Sequence, residues 1–148
     1  MNGRSGLVDL DAALFELAEA ALRNAHAPYS GFHVGAALYS LSGALHSGCN
    51  VESAAYPLTS CAERAAVTAA VRAEGPQLQI VRMVVLARGR DGQLLPATPC
   101  GGCRQLLSEF GAGLELVFND PQGQLRRITV SELLPLAFGL PADGRGNH

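Results

Sequence analysis

The sequence contains no tryptophan, and aromatic residues make up only 5% of its 148 positions. Charged residues are also scarce: they account for 16% of the chain and leave a formal net charge of -2. Proteins that bind nucleic acids usually carry a basic stripe or patch, and no such stripe is visible here. We therefore expect neither a nucleic acid nor an anionic membrane surface as a partner.

Long apolar runs are missing too. No uninterrupted apolar stretch approaches the roughly 20 residues that a membrane-spanning helix requires. Residues 1–9 contain a single arginine and no apolar block before a cleavage site, so they do not resemble a secretory signal peptide. We expect no membrane partner and a cytoplasmic location.

Cysteine is rare as well, and the chain has only Cys49, Cys61, Cys100 and Cys103. In a reducing cytoplasm, such cysteines more often bind metal or take part in catalysis than form disulfide bonds. The four thiols are therefore the first candidates for a functional site.

Hydrophobic residues, by contrast, make up 48% of the sequence. A chain of this length buries roughly 70% of the surface that its unfolded form exposes, which is enough for a substantial core. We expect a single domain over residues 1–148, with a core from about 7 to 138 and a frayed tail after Pro141.

The pattern of apolar residues predicts helices over residues 7–24, 61–74, 98–110 and 129–138. It predicts strands over residues 33–40, 44–51, 80–88, 114–118 and 125–128. Thr98 is expected to cap the third helix, and Thr129 with Glu132 the fourth. Helices alternate with strands after Val51, which indicates a mostly parallel sheet covered on both faces, with the first two strands as an antiparallel hairpin at one side. The predicted fold class is a three-layer α/β/α arrangement with a mixed five-stranded sheet.

Three of the cysteines fall at predicted helix starts. Cys100 and Cys103 are spaced i, i+3, so their sulfur atoms share one helix face, and the free N–H groups of a first helical turn stabilise thiolates. Cys61 can supply a third ligand from the preceding helix. Three protein ligands with a fourth position left to water are typical of catalytic zinc, whereas structural zinc usually has four. Cys49 leaves a four-cysteine structural site open.

Glu63 lies two residues beyond Cys61, within reach of a water molecule on such a zinc ion without being a ligand. Water that attacks an amidine-like ring carbon needs a base, and the ring nitrogen and the departing amine need protons in return. One carboxyl group can do both. The competing interpretation is a capping box between Ser60 and Glu63. Beside the three cysteines we favour the catalytic interpretation, because this combination is the one described for zinc deaminases.

The segments Cys61-Ala62-Glu63-Arg64 and Pro99-Cys100-Gly101-Gly102-Cys103-Arg104-Gln105 resemble the two zinc motifs of the small homotetrameric cytidine deaminases. The resemblance also covers residues 28–38, 48–58 and 132–138, in the order of the family. Two residues depart from the family pattern: Ser53 stands where asparagine is usual, and His33 where proline is usual. The latter we interpret as a tolerated strand residue.

The resemblance implies hydrolytic deamination of free cytidine and 2′-deoxycytidine, with one zinc ion per chain and zinc-activated water. It also implies a homotetramer with shared active sites, in which Phe138 covers the base in a neighbouring subunit's site. Tyr56 would belong to the same region.

By the same resemblance, Asn50 and Glu52 hydrogen-bond the ribose, chiefly its 3′-hydroxyl. Phe32 packs against the nucleoside, while the backbone of Ala62 and the carboxyl group of Glu63 contact the pyrimidine edge. Without the family, Asn50 and Glu52 would simply end a hairpin strand, and Phe32 would be a core residue.

Arg64 has a separate implied role. Three thiolates around Zn²⁺ leave a net charge of about -1, which holds the pKa of bound water above the value of ~7 found with neutral ligands. A cation hydrogen-bonded to the sulfur atoms would restore the acidity of that water, and in the family this residue corresponds to Arg64.

Other functions remain open from the residues alone. A Cys-x-x-Cys pair at a helix start is also the geometry of a thiol–disulfide oxidoreductase, although that function leaves Cys61 and Glu63 unexplained. A zinc- or nucleoside-binding module without activity is another alternative. The last is a deaminase that acts on a related nucleoside or on a polynucleotide, although the sequence shows no basic groove for the latter.

Overall fold

The computed structural model describes residues 3–140, with side chains from Leu10 onward. The helices are α1 Gly3–Leu22, α2 Ala62–Glu74, α3 Gly101–Ser108 and α4 Val130–Leu133, with a 3₁₀ turn at Tyr56–Leu58. The strands are β1 His33–Ser40, β2 Leu45–Cys49, β3 Ile80–Arg88, β4 Leu94–Leu95, β5 Glu115–Asn119 and β6 Leu125–Thr129. The tail predicted to fray after Pro141 lies outside the described residues.

The strands form one six-stranded sheet in the order β2-β1-β3-β5-β6, with β4 paired to β3. The predicted hairpin of β1 and β2 lies at one edge. Within residues 3–140, β3 and β5 are the one parallel pair of strands, so the expectation of a mostly parallel sheet is wrong. One reason is that β1 lies between β2 and β3, so these two strands run in the same direction but are not neighbours. The other is that the chain turns tightly after β5, so β6 pairs antiparallel with it.

Both faces of the sheet are covered by helices, which confirms the three-layer α/β/α arrangement. Alternate residues of β1 face opposite layers, as the pleat of a strand requires. On one face α1 packs through Leu14, Ala18 and Leu22 against Ala37, Tyr39, Val84, Leu86 and Val117. On the other face α2, α3 and α4 bury Ala66, Ala70, Leu107 and Val130 against Ala36, Leu38, Met83, Val85 and Leu116.

Two glycines of the hairpin determine how closely the helices approach it. A Cβ atom on Gly35 would lie 2.0 Å from the carbonyl oxygen of Ala18 in α1. On Gly48 it would lie 2.4 Å from the backbone nitrogen of Ala66 in α2. The missing side chain of Gly35 lets α1 lie directly on β1, and that of Gly48 lets α2 lie directly on β2. The second contact places the start of α2 beside the end of the hairpin.

Several element limits differ from the prediction, beginning with α1, which covers Gly3–Leu22 instead of residues 7–24. Helix α3 begins at Gly101 with Cys100 as its N-cap, so Thr98 is not the cap. Helix α4 has the predicted capping box between Thr129 and Glu132 but ends at Leu133, because Pro135 cannot continue a helix. Strand β4 was not expected, since two residues are too few for a recognisable alternation.

No helix in the part of the chain that the structure describes has the length and apolarity needed to cross a membrane. The predicted limits of a single domain, with a core from about 7 to 138, stay a prediction.

Candidate active site

The starts of α2 and α3 bring three thiols together. Cys61 is the N-cap of α2, Cys100 is the N-cap of α3, and Cys103 is buried in the first turn of α3. The three sulfur atoms lie within 4.8 Å of one another, and those of Cys61 and Cys100 are 4.0 Å apart. Cys49 ends β2 and is not part of this group, so the four-cysteine site is not supported.

The geometry fits zinc. Two sulfur ligands at about 2.3 Å from a tetrahedral zinc ion lie about 3.8 Å apart, close to the separation of Cys61 and Cys100. Both residues sit where free backbone N–H groups favour thiolates. No fourth histidine, cysteine or carboxylate joins the group within the described residues. The set therefore matches a catalytic site with three ligands.

The thiols of Cys61 and Cys103 shift each other's pKa. Hydrogen bonds from Cys103 and then Cys100, with a contribution from the charge of Arg64, lower the pKa of Cys61 to about 6 against the opposing effect of burial. The hydrogen bond to Cys61, together with burial, raises the pKa of Cys103, which keeps its proton. Zinc binding has to displace such protons, because only thiolates are ligands.

Glu63 lies in the first turn of α2 and is only 5% exposed. Burial raises the pKa of Glu63 to about 7; the charge of Cys61 adds to this effect, and hydrogen bonds from its own backbone N–H and from Cys103 oppose it. A carboxyl group with this pKa can accept and return a proton near neutrality. The capping-box alternative is wrong, because Cys61 is the N-cap of α2 and no side chain caps that helix.

A cavity of about 260 Å³ opens over Glu63 and two of the thiols. It is lined by Phe32, Val34, Asn50, Glu52, Thr59, Ser60, Cys61, Ala62, Glu63, Pro96, Ala97, Thr98 and Cys100. Four predicted substrate residues, Phe32, Asn50, Glu52 and Ala62, are among them. The sequence prediction missed the contribution of 96–98, although its position directly before Cys100 could have indicated it. A larger groove of about 780 Å³ between α1 and the ends of strands β3 to β6 contains none of the predicted site residues.

Asn50 and Glu52 also make hydrogen bonds that the sequence did not indicate. The amide of Asn50 donates to the carbonyl oxygen of Phe32 and accepts from the N–H of Val34, each at 2.8 Å. The carboxylate of Glu52 accepts from the N–H groups of Tyr29 (2.9 Å) and Ser30 (3.2 Å) and from the Ser30 hydroxyl. That hydroxyl, followed by the two N–H groups, lowers the pKa of Glu52, so the carboxylate is charged.

Tyr56 and Phe138 do not line the cavity of their own chain. Tyr56 is 84% exposed and Phe138 is 69% exposed. Gln105 of α3 nevertheless fixes the backbone of Phe138: its amide donates to the carbonyl oxygen at 2.7 Å and accepts from the N–H at 3.2 Å. The Phe138 ring thus projects into solvent from a backbone anchored to the zinc-site helix.

The remaining predicted residues lie close to the site. Arg64 is exposed on α2 and influences Cys61 through its charge. His33 lies outside the cavity lining, with Nδ1 3.1 Å from the carbonyl oxygen of Gly31. Ser53 takes part in a local turn, where its hydroxyl accepts from the N–H of Ala55 at 3.1 Å.

The model of the family described as "Cytidine and deoxycytidylate deaminase zinc-binding region" matches residues 9–118, a segment that contains the three thiols and Glu63. The chain belongs to the cytidine deaminase family. It is 43% identical over 119 residues to a cytidine deaminase of Halalkalibacterium halodurans, covering 80% of this chain and 86% of that protein. It is 38% identical over 119 residues to one of Sporosarcina psychrophila, covering 80% and 83%.

Solved cytidine deaminases share the fold. The enzyme from Burkholderia pseudomallei superposes with a TM-score of 0.73 at 42% identity, covering 86% of this chain and 98% of that one. The enzyme from Mycobacterium tuberculosis gives a TM-score of 0.72 at 38% identity, covering 87% and 97%. The predicted family, fold class and zinc cofactor are thereby confirmed. The roles of individual cytidine deaminase residues in this chain stay predictions.

Proposed function

We propose that this chain catalyses the hydrolytic deamination of free cytidine and 2′-deoxycytidine to the uridine products and ammonia. The observation that carries the proposal is the meeting of three clustered thiols and a buried glutamate in one cavity. A thiol–disulfide oxidoreductase is not favoured, because it would use neither Cys61 nor Glu63 and lies outside the family of this chain.

The chemistry divides between the cofactor and Glu63. When bound by Cys61, Cys100 and Cys103, zinc supplies the Lewis acidity that makes water a nucleophile at neutral pH. The Glu63 carboxylate takes a proton from the water as a C–O bond forms at the ring carbon that bears the amino group. The carboxyl group returns this proton to the ring nitrogen. It then takes the second proton from the newly formed hydroxyl group and passes it to the amino group, which leaves as ammonia when the C–N bond breaks and the hydroxyl oxygen becomes the carbonyl oxygen. A pKa near 7 suits both directions of transfer.

The charge of the cavity favours a nucleoside over a nucleotide. Among the residues that the structure describes, its lining contains the carboxyl groups of Glu52 and Glu63 and no arginine, lysine or histidine. Glu52 is ionised, since its pKa lies below the usual range. A 5′-phosphate in the cavity would therefore meet negative charge without a compensating cation, which costs binding energy.

We assign the ribose to Asn50 and Glu52, whose side chains line the cavity. Both already bind backbone groups, but an amide and a carboxylate retain further hydrogen-bonding capacity for a hydroxyl that donates and accepts. Phe32 would pack against the nucleoside, and the backbone of Ala62 would contact the pyrimidine beside Glu63.

Arg64 would tune the zinc site. A ligand set of three thiolates carries an excess negative charge of about one unit. The charge of Arg64 already lowers the pKa of the Cys61 thiol, which supports an electrostatic role toward the sulfur ligands.

The working unit would be a homotetramer with shared active sites. Large apolar side chains are exposed on this protomer and could be buried in such interfaces. They include Tyr56, Leu58, Leu136, Phe138 and Leu140. In the assembly, Phe138 would cover the base in a neighbour's cavity. A cytoplasmic location would keep the three thiols reduced and available to zinc.

A zinc determination paired with the absorbance change of cytidine tests the proposal. Protein purified under reducing conditions should contain about one zinc ion per chain and convert cytidine to uridine. Cytidine 5′-monophosphate should be a much poorer substrate. A zinc-free chain, or a zinc-containing chain that leaves cytidine unchanged, would show that the site has another function.

A further inference from the structure

The loop 28–32 lies between two oppositely charged side chains. Glu52 binds it from the cavity side, as described above. From the other side, the guanidinium group of Arg90 donates to the carbonyl oxygen of Tyr29 at 3.1 Å and lies 3.5 Å from that of Pro28. The loop is thus bonded to an anion on one side and a cation on the other.

The two peptide groups between these charges have the same orientation. In the Pro28–Tyr29 peptide and in the Tyr29–Ser30 peptide, the N–H group points to Glu52 and the carbonyl group to Arg90. Each peptide dipole is therefore aligned with the field between the carboxylate and the guanidinium. Hydrogen bonds in such a chain polarise and strengthen one another.

Gly31 is the point where Arg90 packs on the loop. It has a φ of +69°, and a Cβ atom at this position would lie 2.3 Å from both Cγ and Nε of Arg90. Gly31 is buried although its neighbours Ser30 and Phe32 are exposed, because the stem of Arg90 crosses it. A residue with a side chain would force Arg90 away.

Arg90 itself stands on an ordered turn between β3 and β4. The N–H of Gly89 donates to the carbonyl oxygen of Gln93 at 3.0 Å. The N–H of Gly92 donates to the carbonyl oxygen of Gly89, also at 3.0 Å. The carboxylate of Asp91 accepts from the N–H of Gln93 at 3.0 Å. The guanidinium group is therefore presented from a fixed backbone.

We infer that Arg90 is a positioning residue for nucleoside binding, which clamps the loop 28–32 against Glu52 and so holds Phe32 at the cavity wall. Phe32 is connected to the clamped loop through Ser30. The N–H of Phe32 donates to the Ser30 hydroxyl oxygen at 2.9 Å, and that hydroxyl donates to Glu52. Arg90 does not line the cavity. Arg90 therefore acts through the loop. Its role in substrate binding rests on the proposed function.

The test compares Arg90→Gln and Arg90→Lys with the wild-type chain. Arg90→Gln should raise KM for cytidine about threefold to tenfold, the loss expected for one hydrogen bond, and leave kcat and zinc content unchanged. Arg90→Lys keeps a cation at the carbonyl groups and should show a smaller rise. In Arg90→Gln, amide hydrogen exchange should accelerate in the peptide that covers 28–32 and not elsewhere.

Arg126→Gln is the matched control, because Arg126 holds a different turn through Asp120, away from the cavity. The inference is overturned if Arg90→Gln and Arg126→Gln have the same KM, if exchange at 28–32 does not change, or if kcat falls while KM stays constant. If the wild-type chain binds zinc but does not deaminate cytidine, the proposed function fails. The exchange comparison needs no turnover and still decides whether Arg90 clamps the loop.

Discussion

Each of the three clustered cysteines occupies a position where its surroundings favour metal binding. Cys61 and Cys100 occupy the N-cap positions of α2 and α3, and Cys103 follows within the first turn of α3. Free N–H groups at such positions stabilise the negative charge of a thiolate. A hydroxyl group at the same position remains protonated at neutral pH and is a poor ligand for zinc.

We therefore predict that serine in place of Cys61, Cys100 or Cys103 removes zinc and deaminase activity together. Cys49→Ser is the matched control, since Cys49 lies outside the cluster and should retain both. Zinc content by atomic absorption and cytidine turnover are measured on the same preparations. Full zinc in all three serine variants would place the metal elsewhere.

Glu63 should be dispensable for zinc and indispensable for turnover. The Glu63→Gln variant keeps the shape of the buried side chain but cannot carry a proton, so kcat should fall by about 10²- to 10⁴-fold. Zinc content and uridine binding should stay near the wild-type level. The exposed Glu109→Gln serves as a control for the substitution itself. A rate close to wild type would assign the proton transfers to another group.

The clustering of three thiols beside Glu63 could be predicted from sequence because the spacing within each helix start is local. The hydrogen bonds that Glu52 accepts from Tyr29 and that Arg90 donates to the same loop could not be predicted in this way. They join segments that are distant in the chain, and only the finished sheet brings them together. The predicted end of the last helix at Phe138 was wrong, because α4 ends at Leu133 before Pro135.

At the level of elements, the C-terminus of α2 is tied to the β1–β2 hairpin through Glu74. Its carboxylate accepts from the hydroxyl groups of Ser40 (2.7 Å) and Ser42 (3.0 Å) and lies 2.7 Å from Nε2 of His46. The Ser40 hydroxyl, followed by His46, lowers the pKa of Glu74 below its usual value. The far end of the helix that carries Cys61 and Glu63 is thereby anchored.

A Glu74→Gln variant should consequently unfold at a lower temperature than wild type near neutral pH. A carboxyl group whose pKa is lower in the folded state than in the unfolded chain stabilises the fold at pH values above the unfolded pKa of 4.5. This stabilisation is lost as the pH falls through the pKa of the folded state. The difference in Tm should therefore be largest at about pH 7 and shrink toward about pH 3. The exposed Glu109→Gln serves as the control variant. Equal Tm values for Glu74→Gln and wild type at neutral pH would contradict the anchoring role.

Element types were predicted better than strand order. The limits of β1 and β3 match the prediction because their apolar runs are continuous and end at polar or turn residues. The expectation of a mostly parallel sheet was wrong. The alternation of helices and strands predicts that β2 and β3 run in the same direction, but it does not reveal that β1 lies between them. Which strand occupies a position in the sheet depends on packing across the whole chain.

For the whole molecule, the shared-site proposal predicts complementation between damaged chains. Glu63→Gln chains lack the proton carrier and Phe138→Ala chains lack the covering ring, so each should be impaired alone. Refolded as an equal mixture, about a quarter of the sites would combine an intact Glu63 with a neighbour's intact Phe138. Activity above the mean of the two separate variants, with a tetramer mass by light scattering, is the expected result. A fully active wild-type monomer would falsify the arrangement.

The separation of the zinc ligands along the chain has a consequence for how the protein matures. Cys100 and Cys103 are neighbours on one helical turn, whereas Cys61 precedes Cys100 by 39 residues that include β3 and β4. Joining ligands so far apart costs loop-closure entropy, which the growing sheet has to offset. The local pair supplies two ligands, so a site with three ligands exists only when the sheet has brought α2 beside α3. Zinc bound by all three thiols would link these two parts of the chain, and its binding energy would contribute to the stability of the fold.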